Sequence, residues 1–171
     1  MARRDLVKSL VEENAFPEVN FSDFGDVRYL HLGTPWVQGS MLMDAPYDIE
    51  LEYVQRMMAG LLFMAPSTMP KKHAMQLGLG SAALTKFCYK KLRMRATAVE
   101  INPQVITACR VWFKLPRDDL RLQVIAADAL AEIQNRSTGG QWTCCMSICT
   151  TRMQLRRCST APTFTCTAMT Y

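Results

Sequence analysis

Residues 73 to 84 have the sequence His73-Ala-Met-Gln-Leu-Gly-Leu-Gly-Ser-Ala-Ala-Leu84. Met75 to Leu77 is a short apolar run typical of a strand, and Gly78-Leu79-Gly80 follows as a turn that residues without a Cβ make at least cost. Ser81 is a favoured N-cap for a helix. The stretch therefore predicts a strand, a ligand-binding turn and a helix.

The residues after this turn complete a β-α-β unit. Thr97 to Val99 predicts a second strand that ends in Glu100, about 20 residues beyond the first glycine, where an acid can accept both ribose hydroxyls of an adenosine. A plain strand-turn-helix without a ligand also fits, because a Gly-x-Gly-x-x-Ala string is a weak signal by itself. The helix between the strands is predicted from apolar residues at helical spacing, namely Ala83, Leu84, Phe87, Cys88 and Leu92.

Composition limits the class of protein. A chain of 171 residues is long enough for one domain, and its net charge of +5 is not gathered into a stripe with aromatic residues, so we expect no nucleic-acid partner. The longest apolar run, Met57 to Pro66, is too short to span a bilayer. We therefore expect a cytoplasmic protein that does not enter a membrane.

The segments before the turn predict a small N-terminal β structure followed by a helix. Asp5 to Asn14 has the spacing of a short amphipathic helix, and Val27 to Leu32 with Trp36 to Met43 predicts a β-hairpin. Asp48 is expected to cap a helix that Pro66 ends, and polar residues then predict a linker from Ser67 to Lys72. The apolar stripe of that helix is Leu51, Val54, Met58, Leu61 and Leu62.

A third strand is predicted beyond Glu100. Asn102-Pro103 begins a helix that we expect to end at about Leu115, and Leu122 to Ile125 is the next apolar strand. Asp128 follows that strand at the edge where open α/β sheets place their ligands, which makes it a candidate for hydrogen bonding an adenine amino group. It is equally suited to be the N-cap of a helix from Ala129 to Ile133.

The predicted fold is α/β, a truncated Rossmann-like, doubly wound parallel sheet preceded by a small N-terminal β-hairpin segment. We divide the chain into an N-terminal helix and hairpin segment (1–47), a nucleotide-binding core (48–138) and an aberrant tail that we expect to be disordered (139–171). The tail is distinct because all fifteen acidic residues lie at or before Glu132, whereas five of the seven cysteines lie between Cys144 and Cys166.

From Val27 to Trp142 the sequence resembles the spermidine synthases (polyamine aminopropyltransferases) of the class I adenosylmethionine-dependent fold. The resemblance rests on Gln38, Glu50 with Tyr53, Gly78, Gly80, Glu100, and Asp128 with Ala129. It implies aminopropyl transfer from decarboxylated S-adenosylmethionine to a small-molecule amine, without a metal, in a homodimer. It also implies that Tyr53 binds the amine and that the donor is bound by Gln38, Gly78, Gly80, Ser81, Glu100, Ile101, Asp128 and Ala129.

Two departures from the family pattern keep other functions open. The family places an acid soon after its glycines, where this chain has Ser81, and a His-Glu pair after the tyrosine, where it has Val54-Gln55. The first leaves the choice of donor open, and the second leaves the acceptor open. An S-adenosylmethionine-dependent methyltransferase and a non-catalytic nucleoside-binding protein are therefore the alternatives.

The tail lacks the acids that the family carries on its fourth strand, one of which removes the proton from the attacking amine. We therefore name no catalytic residue in this chain, and whether it is an enzyme stays open. A cysteine-rich metal site is disfavoured, because the tail contains no Cys-x-x-Cys pair and no histidine.

A shifted reading frame explains the missing acids. If one base is lost near the Trp142 codon, or a splice junction is shifted there, each later codon read one base earlier turns Thr143 into Asp and each cysteine codon into Val, Leu or Met. Ile148 then becomes a codon compatible with Asp. The recovered pattern is an apolar strand bounded by acids, which is the form of the family's fourth strand.

Overall fold

The computed structural model describes residues 16–136, 144–148 and 167–169. None of the helices in these ranges is both long and apolar enough to cross a membrane. The elements in chain order are β1 (Val19–Phe24), β2 (Val27–Leu32), β3 (Gly39–Leu42), α1 (Glu52–Met57), two 3₁₀ helices (Met58–Phe63 and Pro66–Lys71), β4 (His73–Leu77), α2 (Ala83–Lys90), β5 (Arg95–Glu100), α3 (Pro103–Trp112), β6 (Leu122–Ala126), α4 (Ala129–Arg136), β7 (Cys144–Ile148) and β8 (Thr167–Met169).

A five-stranded sheet with the order β6-β5-β4-β7-β8, parallel throughout, forms the centre of the fold. Side chains alternate between its two faces, so Ala96 and Ala98 belong to the large core that also holds residues of α2 and α3. Met75 and Val99 face the other way and pack with Ile133 of α4. The predicted α/β fold with a doubly wound parallel sheet is confirmed.

An antiparallel sheet of β1, β2 and β3 precedes this core. The predicted hairpin of the second and third strands is present, but its later strand is Gly39–Leu42 and not Trp36 to Met43, since Trp36 lies in the connection and is 77% exposed. Strand β1 was not predicted. Its signal was the two-residue turn Gly25-Asp26, where Gly25 has a φ of +60° and Phe24 pairs with Val27.

The helix predicted from Asp48 to Pro66 is wrong in its bounds. The α-helix begins after Leu51 and changes at Met58 into a 3₁₀ helix, a segment where Gly60 weakens the α-helical preference. Asp48 forms an ion pair with Lys91 at 2.5 Å and does not cap the helix.

Two other predictions concern the linker from Ser67 to Lys72 and the helix from Asp5 to Asn14. The polar segment from Ser67 to Lys72, predicted to be a linker, lies largely in the second 3₁₀ helix. The helix predicted from Asp5 to Asn14 lies outside the described residues.

Two strands lie in the tail that we expected to be disordered. Strand β7 pairs with β4, from Ala74 opposite Cys144 to Leu77 opposite Ser147, and β8 pairs with β7. An inner strand that lacks a neighbour presents a row of unpaired N–H and C=O groups, and an apolar segment within reach can pair with it. The sheet therefore does not end with its third strand. The rest of 139–171 is outside the described residues, and the division into 1–47, 48–138 and 139–171 stays a prediction.

Arg28 joins the N-terminal sheet to the α/β core. Its guanidinium donates two hydrogen bonds of 2.7 Å to Asp23 and one of 3.1 Å to the carbonyl of Trp112 in α3. The same group lies 4.5 Å from the ring centroid of Phe21, whose ring packs against Trp112 at 5.0 Å. Charge, ring stacking and a backbone contact thus fix β1 and β2 against α3.

Lys86 is a buried cation on α2. It is 1% exposed, and its Nζ donates a hydrogen bond of 2.8 Å to the carbonyl of Phe113. Burial disfavours the charged form and lowers the lysine pKa from 10.5 to about 8. The folded chain therefore holds this proton less strongly than the unfolded chain does.

Lys86→Met should remove a pH dependence of stability. Between the folded pKa of about 8 and the unfolded value of 10.5, only the unfolded lysine is protonated, so wild-type stability rises with pH in that window. Relative to the methionine variant the gain should total about 3 kcal/mol, since one pKa unit corresponds to roughly 1.4 kcal/mol. Urea unfolding of both proteins from pH 7 to 11 measures the difference. Parallel stability curves would contradict the assignment.

Candidate functional site

The glycine turn between β4 and α2 has the backbone that the sequence predicted. Gly78 and Gly80 adopt φ values of +79° and +54°, in the region that glycine enters without strain, and Ala82 follows at +60°. The amide of Gly78 donates to the carbonyl of Val99 at 2.8 Å, so the turn begins against the end of β5. A Cβ on Gly80 would lie 3.2 Å from the carbonyl oxygen of Gln38, which also brings β3 close to the turn.

Glu100 is the last residue of β5 and lies next to the glycine turn. Its Oε2 accepts a hydrogen bond of 2.8 Å from the amide of Leu79, and its Oε1 accepts one of 2.9 Å from the amide of Asn102. A carboxylate offers about four acceptor positions, so two remain for the hydroxyls of a ligand. The carboxylate therefore fixes the glycine turn and is placed to bind a ribose, a role that stays a prediction.

The three residues predicted to complete the nucleoside site beside Glu100 are Ile101, Asp128 and Ala129. Ile101 follows it directly and is 48% exposed, while the amide of Ala127 donates to the carbonyl of Glu100 at 3.0 Å, which brings Asp128 and Ala129 to the same edge. Oδ1 of Asp128 accepts from the amide of Ala131 at 2.9 Å. Asp128 thus caps α4, as its alternative interpretation expected, and its carboxylate keeps acceptor positions that could serve an adenine amino group.

Ser81 is not the N-cap that we predicted. The cap position of α2 is Ala82, and Ser81, which is 3% exposed, donates its hydroxyl to the carbonyl of Ser40 at 2.8 Å. The side chain was drawn away from the helix by the close approach of β3, which sequence patterns do not reveal. Ser81 therefore connects the antiparallel sheet of β1, β2 and β3 to the glycine turn.

A small cavity lies where β3, α1 and the glycine turn meet. It brings together Gln38, Tyr53 and Ser81, three residues that the sequence placed in the site, whereas Glu100 and Asp128 are not part of its lining. Ser40, which the sequence did not single out, also lines it and donates its hydroxyl to the carboxylate of Glu50. The other lining residues are Gly39, Leu51, Val54, Leu79 and Ala83.

Gln76 is the second residue that sequence reasoning missed. It is 1% exposed in β4, and its Oε1 accepts from the amide of Thr85 at 2.9 Å in the first turn of α2. The available signal was a polar residue within the otherwise apolar run from Ala74 to Leu77. A buried carboxamide is costly unless it is hydrogen-bonded, so such a residue marks a local network.

Curated proteins that are similar to this chain in sequence include polyamine aminopropyltransferases of two bacteria. A polyamine aminopropyltransferase of Neisseria meningitidis serogroup A is 38% identical over 135 residues, which are 78% of this chain and 50% of that protein. A polyamine aminopropyltransferase of Chromobacterium violaceum is 39% identical over 126 residues, 73% of this chain and 46% of that protein. The chain thus spans about half the length of the curated relatives it matches. No protein-family model matches it.

Solved structures that resemble this fold include a spermidine synthase and a methyltransferase. A probable spermidine synthase from Corynebacterium glutamicum aligns over 78% of this chain and 49% of its own, with a TM-score of 0.60 and 19% identity. Human methyltransferase-like protein 13 in complex with SAH aligns over 62% of this chain and 51% of its own, with a TM-score of 0.54 and 26% identity. Both likenesses agree with the Rossmann-like sheet described above.

Gly39→Ala should destabilise the chain by about 1 to 3 kcal/mol, the usual effect of overpacking. An added Cβ would lie 2.6 Å from Oγ of Ser81 and 2.8 Å from its backbone nitrogen, so β3 or the glycine turn must shift. Gly60→Ala is the matched control, because a Cβ there meets nothing within 4 Å. Urea unfolding compares the two variants. Equal stability would show that β3 lies further from the turn than described.

Proposed function

We propose that this chain, which is homologous to the polyamine aminopropyltransferases over 78% of its length, carries the donor-binding part of such an enzyme without the acid its chemistry needs. The single observation that carries the proposal is the arrangement of the glycine turn and Glu100 at the ends of adjacent strands. The proposed reaction is spermidine synthase-like aminopropyl transfer, and we expect this chain to be inactive in it.

The proposed donor is decarboxylated S-adenosylmethionine or S-adenosylmethionine. The carboxyl end of β5 fits a nucleoside, because Glu100 retains acceptor capacity for two hydroxyls beside the glycine turn. Next to Glu100, Nδ2 of Asn102 is buried and has no hydrogen-bond partner among the described residues. This amide nitrogen could therefore donate a hydrogen bond to the ligand. Gln38, Ser81, Ile101, Asp128 and Ala129 complete the proposed donor site.

The proposed acceptor is a small-molecule amine held on the side of Tyr53. In the transfer, the amine nitrogen forms a bond to the methylene beside the sulfonium while the carbon–sulfur bond breaks, and the sulfur leaves as a neutral thioether. The proton on the new secondary ammonium passes to a carboxylate. The residues of this chain would supply only the alignment of the two reactants.

The position of β7 supports a shifted frame as the reason for the missing carboxylate. Ser147 lies opposite Leu77 in the register, so Ile148 is the next residue along and lies level with the glycine turn. Ile148 is the position whose shifted codon is compatible with Asp. An acid there would lie at the carboxyl edge of the sheet, beside the proposed donor site.

An S-adenosylmethionine-dependent methyltransferase is the second candidate. It is favoured by Ser81, since this chain has no acid in the glycine turn to hold the amine of an aminopropyl donor, and by the likeness to human methyltransferase-like protein 13. A non-catalytic nucleoside-binding protein is the third. We also propose a cytoplasmic location, from the sequence, and a homodimer, from the family resemblance.

Glu100→Gln should weaken the binding of adenosyl ligands by about 1 to 3 kcal/mol, because a charged acceptor for the ribose and for the amide of Leu79 is lost. Calorimetric titration of the chain with decarboxylated S-adenosylmethionine, S-adenosylmethionine and S-adenosylhomocysteine measures it. Glu18→Gln is the control, because Glu18 is an exposed residue directly before β1. Unchanged affinity at position 100 would reject the ribose role.

The same titrations separate the candidate functions. Tighter binding of the decarboxylated donor supports aminopropyl transfer, whereas a preference for S-adenosylmethionine supports the methyltransferase. Binding of a nicotinamide dinucleotide without any adenosylmethionine analogue would contradict both.

Adding one G after the Trp142 codon should restore a longer reading frame, with Asp at 143 and an Asp-compatible codon at 148. Expressed to the end of that frame, the protein should transfer an aminopropyl group, while the 171-residue chain should not, because it lacks the proton acceptor. Product formation from a radiolabelled donor compares the two. Robust turnover by the 171-residue chain, or a stop codon soon after the added base, would contradict the shifted frame.

A further inference from the structure

We infer that Gln76 is a positioning residue for the proposed nucleoside site, an inference that rests on the function proposed above. Its carboxamide lies beneath the glycine turn and uses both of its ends. Nε2 donates to the carbonyls of Gly78 and Leu79, at 2.8 Å and 2.9 Å. Oε1 accepts from the amide of Thr85 at 2.9 Å and also from its hydroxyl.

These four hydrogen bonds join the three parts of the unit. Gln76 belongs to β4, two of its partners are carbonyls of the turn, and Thr85 lies three residues after the cap position Ala82 of α2. In an ordinary cap, the side chain at the cap position would accept from this third amide. Alanine cannot do so, and Gln76 supplies the acceptor from the neighbouring strand.

The conformation of the turn depends on this network. Its residues take positive φ at Gly78, Gly80 and Ala82, and the last of these has a Cβ and adopts that region only against strain. The carbonyls of Gly78 and Leu79 point to Gln76, which turns the amide of Leu79 toward Glu100. Gln76 thereby sets where the carboxylate that we assign to the ribose meets the turn.

The network also explains the polar residue in β4. Gln76 is 1% exposed, yet each end of its carboxamide has two partners, so its burial leaves no unsatisfied group. An apolar residue of the same volume would keep the packing of the strand. It would leave two carbonyls, one amide and one hydroxyl without this partner, and the turn would lose its fixed conformation.

The test uses the 171-residue chain and the variants Gln76→Met, Gln76→Glu and Gln123→Met, the last at an exposed position of β6. Affinity for S-adenosylhomocysteine is measured by calorimetry, and amide hydrogen exchange is measured without ligand. Gln76→Met should raise the Kd by about tenfold or more, the effect of losing buried hydrogen-bond partners. It should also speed exchange at Leu79 and Thr85. Gln123→Met should change neither.

Gln76→Glu separates positioning from general stability, and it decides the test if the methionine variant does not fold. Glutamate keeps both acceptor bonds to Thr85 but loses both donor bonds to Gly78 and Leu79 when ionised, and one of the two when burial keeps it protonated. Exchange at Thr85 should therefore stay slow while exchange at Leu79 speeds up and the Kd rises. Wild-type affinity in a folded Gln76 variant overturns the inference. Wild-type chain that binds no adenosyl ligand overturns the proposed function instead, and the exchange rates still report on the network.

Discussion

Strand β4 must satisfy its backbone hydrogen bonds on both edges, and this requirement fixes the order of the parallel sheet and the position of the glycine turn. Its residues are almost all buried, so no water can replace a missing neighbour, and β5 and β7 pair with it from either side. Once these neighbours are in place, the glycine turn emerges between the ends of β5 and β7. The turn therefore opens at the point where an open α/β sheet binds its ligands.

The β-α-β unit could be predicted from the sequence because local residues determine it. Gly78 and Gly80 mark the turn, Asn102-Pro103 marks the start of α3, and the cap hydrogen bond from the amide of Gln104 to Asn102 is present at 2.9 Å. The failures have a common cause. Ser81 turned to Ser40, and Asp48 to Lys91, because partners distant in sequence competed for side chains that local rules assign to helix caps.

The positions of the candidate site residues in the fold could be predicted in outline, but their supporting contacts could not. Glu100 could be found from its distance to the glycines, whereas the role of Gln76 requires knowledge of where the carbonyls of the turn point. Strand β1 was missed although Gly25-Asp26 marked its turn, because its outer residues are exposed and give no sustained apolar pattern. Patterns of apolar residues thus predict helices and strands, whereas the hydrogen-bond partners of polar groups are visible only in the folded structure.

In strand β7, the place of the segment in the sheet does not depend on which side chains it carries. Pairing with β4 uses backbone groups that every residue other than proline possesses, so a segment whose side chains have changed completely can still take the same position in the sheet. Under the proposed shifted frame, the sheet keeps its order while the reacting carboxylate is absent. Likeness of fold therefore says little about turnover in this chain.

The contact between Gly39 and Ser81 links two positions that are 42 residues apart in the chain, one in β3 and the other in the glycine turn. Because a single Cβ at 39 already meets Oγ of Ser81, a longer side chain at 81 would push β3 outward. Evolution can therefore enlarge one of these residues only by moving the hairpin sheet, and among relatives the two positions should vary together. An acid at 81 would accordingly come with a wider cavity, so one substitution would alter both the charge and the size of the molecule that fits.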